Sequence, residues 1–568
     1  MSSRAALWSV VCGLLLAGCG AKPASRGPSR IAFLPLDNQS SDAGNNWIGR
    51  AAAGVVAYQL NSGPSSEVID VPDARTAAEL QATEEVVGFF DVNKGRLELS
   101  AYLRDPGSQR TIRTLHASSN VNEPFRAFAE LAKQINSTAK PKPFPTQDVE
   151  SLKAFFQASI ASDPAEQESL LAKAVAEDPD FTLAQFARIR SALVRGDQET
   201  AMKALDQARA NIASFRTDED RAKLDYLASE VTGDKRTRLA ALLKLSKAEP
   251  HNVEYWNQYA VTAMSLAHYA RASSAYEKLT QLEPQQKAHW NNLGYARVYS
   301  GDLSGAVSAL EQYRKLAPTE ANPVDSLGEV HFYAGKFREA ASFFLEAHKL
   351  QPQMLQGGHL FRAAYSQFLS GAIGEADVTF ARYIAYRKQG RDPLLELRSA
   401  IWLAMTGRRK EALAKLGSGP LAAGQRCLWL LDAGNRTEAK QALTSGVSPQ
   451  DLSARFCEAF LQPISSLEGW QGLFAKGVPN QALRNELAGF AMALTGHEAE
   501  GVSNWSSLLE GKTPDASTEP RIMQASALRA AGKGAEAPKV LPPRSPDPGF
   551  ASLVWSRYLK LRSAAGAE

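Results

Sequence analysis

The residue types that make and break bonds are sparse in this chain, and their spacing is poor. It has four cysteines, Cys12, Cys19, Cys427 and Cys457, with no CxxC pair to hold zinc, and eight histidines without an HExxH arrangement. Gly511-Lys512-Thr513 imitates the end of a phosphate-binding loop. Ser506 stands where the leading glycine would be, and no strand precedes it, so the imitation is rejected. There is no Gly-x-Ser-x-Gly elbow and no paired set of metal ligands. With 64 Lys and Arg against 60 Asp and Glu over 568 residues, the net charge of +4 makes no broad basic field and argues against a nucleic-acid partner. A hydrophobic content of 44% with 22% charged residues is that of a folded chain, and the length calls for more than one folding unit. The prediction is a protein that is not an enzyme, with no cofactor and no metal.

Cys19 is the exception, and its setting gives it a chemistry. The apolar run Ala5–Leu16 follows a single Arg4. As a helix it rises about 18 Å, too short for a hydrocarbon core of about 30 Å, and it reads as a signal peptide. Its end, Leu16-Ala17-Gly18-Cys19, resembles the bacterial lipobox, in which small residues admit the signal peptidase and the cysteine is acylated. The resemblance implies a signal peptide over 1–18, lipidation at Cys19 and a Gly-, Pro- and Ser-rich tether over 19–30. An ordinary secreted protein with a coincidental cysteine is the alternative. Gly20 replaces the aspartate that retains such proteins on an inner membrane, so in a Gram-negative cell the resemblance implies the outer membrane.

Residues 31–140 read as a small α/β domain with a mixed sheet. Ile31–Leu36 is a strand, and the three- and four-residue spacing of Trp47, Ile48, Ala51, Val55, Val56 and Leu60 is a helix. Ser66–Val71 is a second strand. Val86–Val92, Arg96–Leu103 and Thr111–Ser118 form a meander, turned at Asn93-Lys94-Gly95 and Asp105-Pro106-Gly107-Ser108. Phe125–Ile135 closes the domain as a helix. The opener IAFLPLDN and the later GRLELSAYLRD resemble the small domain that starts many bacterial repeat proteins, akin to the amino-terminal domain of TolB and its curli-secretion and flagellar-lipoprotein relatives. Leu36 stands where that family carries Phe, and the loop after it is shorter here. Asp37 and Asn38 either line a crevice at the strand ends or start a turn and cap the next helix.

Self-similarity governs residues 149–545. Pro250, Pro284, Pro318 and Pro352 follow one another at 34 residues. Trp256 recurs as Trp290, and Leu293-Gly294 as Leu327-Gly328. Ala272, Ala306 and Ala340 keep step and are followed four residues later by Tyr276, Leu310 and Phe344. This resembles the tetratricopeptide (TPR) family: helix pairs that cross at small residues (Ala260, Gly294, Gly328), turn at glycine (Gly301, Gly335) and end before proline. Weaker copies start at Gly196, Gly371, Gly407, Gly434 and Gly532, with a degenerate one at Gly496, Gly501 and Trp505. The expected fold is mostly α, a small amino-terminal α/β domain followed by a TPR α-solenoid, with breaks at 417–425 and 508–520. A capping helix and tail are expected over 546–568, with Arg557, Lys560 and Arg562 on a solvated face rather than on lipid phosphates. Cys427 and Cys457 fall on neighbouring first helices, where they are expected as buried thiols unless an oxidising compartment joins them.

In the TPR family the first helix of each pair lines a concave groove that holds a partner peptide or helix. The resemblance places Asn257, Asn291, Tyr295, Val298, Tyr299, Asp325, Glu329, Phe332 and Tyr333 in that groove, with packing between repeats as the other reading for Val298 and Phe332. The mixed charge lacks the Lys and Asn clamp that binds carboxylate tails. The function implied is an envelope scaffold that binds other envelope proteins or peptides and meets the membrane through Cys19, facing the periplasm or the cell surface. The alternatives are an accessory lipoprotein of an outer-membrane secretion or assembly machine, and a ligand-sensing α/β domain coupled to the repeats.

Overall fold

The computed structural model describes residues 29–60, 66–80, 82–138, 141–416, 419–444, 447–448, 450–462, 464, 466–497, 518–541 and 544–566. Cys12, Cys19, the expected leader, Gly501, Trp505 and Gly511–Thr513 lie outside these residues. The chain forms two compact units, Met1–Thr232 and Gly233–Glu568.

The first unit is built on a mixed sheet of β1 (Ser29–Phe33), β2 (Asp37–Asn38), β3 (Ser66–Asp70), β4 (Glu84–Asn93), β5 (Arg96–Arg104) and β6 (Thr111–Asn120). The strand order is β3-β1-β4-β5-β6, with β2 beside β4. β1 runs parallel to β3 and β4, and the β4–β5–β6 meander is antiparallel. Leu97, Leu99, Ala101 and Leu103 alternate into the core as their period-two spacing requires. Lys94 and Gly95, at φ 47° and 78°, make the tight hairpin between β4 and β5. α1 (Trp47–Leu60) and α3 (Pro124–Ile135) cover the buried face, and α2 (Ala74–Glu79) starts on the Asp73 cap. Asn38 accepts from Ser40 N and donates to Asp42 O and Asn46 Oδ1, so it organises the turn leading to α1.

α4 (Val149–Ile160) and α5 (Pro164–Glu177) follow, then α6 (Thr182–Val194), α7 (Gln198–Ala210) and α8 (Asp218–Thr232). These helices belong to the same compact unit as the sheet, which runs to Thr232. The cause is an aromatic cluster: Phe144 stacks near Tyr58, Phe125, Phe156 and Phe181, with ring centroids 5.2 to 6.5 Å apart. It merges the core under α1 with that under α4 to α6. Gly54 on α1 makes room, because a Cβ there would lie 2.7 Å from the Phe156 ring.

The second unit opens with α9 (Lys235–Ala248) and continues as helix pairs: α10 (Val253–Ser265) with α11 (Tyr269–Leu282), α12 (Lys287–Tyr299) with α13 (Leu303–Leu316), and α14 (Asn322–Tyr333) with α15 (Phe337–Leu350). Next come α16 (Gly358–Leu369) with α17 (Ile373–Gln389), α18 (Leu395–Met405) with α19 (Arg409–Lys415), α20 (Pro420–Asp432) with α21 (Arg436–Ala442), and α22 (Leu452–Leu461) with α23 (Leu467–Ala475). α24 (Gln481–Leu494), the helices Thr518–Ala530 and Ala537–Val540, and a terminal helix Trp555–Ala564 complete it. The fold is thus mostly α, with a small amino-terminal mixed sheet followed by helix pairs in series.

Each repeated residue type has a visible cause. A Cβ at Gly294 would lie 2.7 Å from Leu310, and one at Gly328 2.7 Å from Phe344, so the two helices of a pair cross too closely for a side chain. The turn glycines Gly301, Gly335, Gly371, Gly407, Gly434, Gly496 and Gly532 all adopt positive φ, and Ala267 at φ 57° holds the same position in the 253–286 pair. Each second helix stops two residues before its proline, and the indoles of Trp256 and Trp290 donate to the carbonyls of Pro250 and Pro284 at 3.1 and 2.8 Å. Beyond α15 the spacing lengthens. Gly335 and Gly371 are 36 residues apart, because a 3-10 turn over Met354–Gly357, with Leu355 and Gln356 at positive φ, adds to the connection.

Four expectations are corrected. The expected break at 417–425 is largely helix: Pro420 starts α20, and Gly424 lies inside it because a Cβ there would fall 2.3 Å from the Ala454 backbone nitrogen of α22. Of the second break, residues 518–520 open a helix, and 508–517 lie outside the described residues. Arg557 and Arg562 do not belong to a solvated face: Arg557 pairs with Asp432 at 2.7 Å and Arg562 is buried, while Lys560 is exposed. The sulfurs of Cys427 and Cys457, expected as buried thiols, are joined in a disulfide between α20 and α22, with Cα atoms 6.0 Å apart.

Candidate functional site

Helices α10, α12 and α14 carry the nine residues placed in the groove by their sequence. They present columns at equivalent positions: Asn257, Asn291 and Asp325; then Val261, Tyr295 and Glu329; then Tyr299 and Tyr333. The rings of Tyr269, the first residue of the second helix α11, and of Tyr299 and Tyr333 run in file, at 5.4 and 5.8 Å between centroids, and Tyr295 joins Tyr299 at 5.9 Å. Tyr299, Tyr333 and Asn257 are half-buried, and Val261 keeps 49% of its surface exposed.

Beneath the aromatic file lies a polar network. Tyr295 donates to Glu329 and sits 3.2 Å from Ser326 Oγ, which donates to Asn291 Oδ1 at 3.0 Å. Arg362, on α16, donates to both Asp325 oxygens at 3.0 and 2.9 Å and to Glu329 at 2.7 Å. His359 Nε2 lies 3.3 Å from Asp325 Oδ1. Burial by itself pushes the Asp325 carboxyl upward, but His359 and Arg362 outweigh it and hold Asp325 below the usual carboxylate range. Burial, with Glu329 beside it, holds the Tyr295 phenol well above its usual range, so Tyr295 remains a neutral donor. Burial works against the Arg362 charge and Asp325 and Glu329 reinforce it, so its pKa is raised.

Two of the nine residues belong to the packing. Phe332 is 2% exposed, with its ring 5.1 Å from Phe337 and 5.8 Å from Tyr365, so it is core and not groove. Val298 is half-buried against the cluster of Leu310, Tyr313, Leu327 and Val330. Both face the neighbouring pair, because they stand one residue before Tyr299 and Tyr333 and so are turned about 100° away from them around the helix. Arg362 and Val261 were missed. Val261 falls on the Tyr295 column by simple 34-residue arithmetic. Arg362 falls after the lengthened connection, where that arithmetic fails; its signal is the one Arg or Lys in the helix GHLFRAAYSQFL.

The network has no nucleophile held by a base. Among the described residues no group of His, Cys, Asp and Glu is arranged to hold a metal ion, and no helix is long and apolar enough to cross a membrane. What the arrangement can do is present rigid tyrosines, at low entropic cost, over a charge-balanced floor.

Residues 253–286 match the tetratricopeptide-repeat family. That segment contains α10, α11 and the Ala267 turn, and the next two helix pairs follow its 34-residue register. Among solved structures the chain is similar to MamA, with 20% identity over 30% of this chain and 96% of that one, at a TM-score of 0.26. It is also similar to yeast Tom70, with 11% identity over 76% and 94% of the two chains at a TM-score of 0.31. Naa15/Naa10 bound to HypK-THB gives 14% identity over 72% and 66%, at 0.35. No curated protein matches.

Proposed function

We propose that this chain is a lipid-anchored, non-enzymatic scaffold of the cell envelope, and that the first-helix face of α10, α12 and α14 holds a peptide or helix from another envelope protein. The observation that carries the reading is the file of Tyr269, Tyr299 and Tyr333 beside exposed Val261, set over the Asn291–Ser326–Tyr295–Glu329–Arg362 network. Tyrosines supply large contact area with few rotors to freeze, and the network fixes the floor they stand on. The Cys427–Cys457 disulfide favours an oxidising compartment, in keeping with export. Acylation at Cys19 supplies the anchor, since several acyl chains on one residue hold a protein stably at a bilayer where one does not.

Mass spectrometry of the mature amino terminus tests the anchor: acylated Cys19 is expected, and an unmodified soluble chain contradicts it. The groove is tested by replacing Tyr299 and Tyr333 with Ala. Partner capture in envelope extracts is expected to fall while the helical signal is kept; unchanged capture contradicts the assignment.

A further inference from the structure

The first-helix face beyond α14 is covered, and what covers it is this chain's own end. Trp555 meets the Tyr365 ring of α16 edge-on at 6.1 Å. The Leu553 carbonyl accepts from Gln425 of α20 at 2.8 Å. Phe550 packs against Phe456 of α22 and Phe490 of α24, at 6.2 and 5.2 Å between ring centroids. Arg557 binds Asp432 at 2.7 Å, with its guanidinium 4.2 Å above the Phe460 ring. The six receiving residues lie on α16, α20, α22 and α24, and Arg409 of α19 and Arg529 of the helix Thr518–Ala530 add hydrogen bonds to Ser556 and to the Ala565 carbonyl.

We propose that Gly549–Ala564 is an intramolecular ligand, and that the first-helix face of α16 to α24 is a docking surface for an aromatic amphipathic helix. Its own end occupies that surface until a partner helix of the same chemistry displaces it. Phe550, Val554, Trp555 and Tyr558 form the stripe that such a partner must reproduce, with a cation at the place of Arg557. Two features make the surface self-supporting without its occupant. The Cys427–Cys457 disulfide ties α20 to α22 directly beneath it. Asp432 keeps a second cation, Arg409, at 3.4 Å, so departure of Arg557 leaves no orphaned carboxylate. This inference concerns helices other than α10 to α14 and stands whether or not the tyrosine file binds anything.

The test uses the full chain with a specific protease site placed between residues 541 and 548, cut after folding, and a fluorescent peptide of residues 546–566. The cut chain is expected to exchange its own end for the peptide with saturable anisotropy, while the uncut chain binds at least about 30-fold more weakly. Peptides carrying Trp555→Ala or Arg557→Glu are expected to lose a similar factor, as loss of a buried aromatic anchor does. Two results overturn the proposal. One is that the cut end stays bound against excess peptide. The other is that it leaves only as the helical signal of the rest melts, which makes the segment a structural part of the fold.

Discussion

Arg362 donates to both carboxylate oxygens of Asp325, at 3.0 and 2.9 Å, across the gap between α14 and α16, and the same nitrogen reaches Glu329. One largely buried cation therefore balances two carboxylates on the preceding first helix. Removing it strands both charges. Arg362→Met is expected to destabilise the second unit by about 3–5 kcal/mol. Adding Asp325→Asn and Glu329→Gln to the same chain should recover much of that loss. Denaturant unfolding of the three chains measures both.

Acid should find the same place. The folded pKa of Asp325 lies below its ordinary value, as does that of Asp377, which Arg408 and Trp402 hold down by hydrogen bonds. A depressed carboxyl contributes its stability above its unfolded pKa of about 3.9 and loses it as the pH falls through the folded value. The contribution of these two carboxyls is expected to be flat from neutrality to about pH 5 and to fall below about pH 4. Asp325→Asn should make that acid limb shallower. Melting temperatures taken from pH 2 to 7 on both chains check the sign.

The turn at Ala267 stores a correctable strain. Its φ of 57° lies in the left-handed region that glycine adopts at Gly301 (90°) and Gly335 (72°). Ala267→Gly is expected to stabilise by about 0.5–1 kcal/mol, and Gly301→Ala to destabilise by about as much. Thermal melts of the two variants should move in opposite directions. A shift in the same direction would show that something other than backbone conformation governs the turn.

The Cys427–Cys457 disulfide closes a loop with a sequence separation of 30. Restriction of the unfolded chain then supports the native state by about 3–4 kcal/mol. Reduction, or Cys427→Ala with Cys457→Ala, should lower the melting temperature without shifting the helical signal of the folded chain. Mass analysis before and after alkylation shows whether the thiols are free at the outset.

The fold class was legible because its signals are local and repeated. A proline, a glycine and an alanine at a fixed spacing declare the helix pair, and every glycine named from the sequence at the turn of a helix pair that falls among the described residues has positive φ. The sheet was legible from alternation and from turn residues such as Lys94-Gly95. Illegible features depend on contacts between distant segments. Gly424 looked like a breaker, and only the approach of the Ala454 backbone explains a glycine within the helix. Phe332 shares its helix with Asp325, Glu329 and Tyr333, and a partial turn of rotation buries it against Tyr365. Arg557 and Arg562 resembled an ordinary charged helix face, because nothing near them in sequence announces Asp432 or Phe460. Arg362 was hidden by the longer connection at Met354–Gly357, which breaks the register that located Asn291, Tyr295, Asp325 and Glu329.

The central claim is that a partner lies along the tyrosine-bearing faces of α10 to α14. A photo-crosslinking amino acid placed at Val261 or Tyr299, in chains expressed in their native envelope, measures it against the same group at exposed Ser274 on the second helix α11. The account predicts a discrete crosslinked species from positions 261 and 299, lost on Tyr333→Ala, and none from 274. Equal crosslinking from all three positions, or crosslinking from 274 alone, would contradict it.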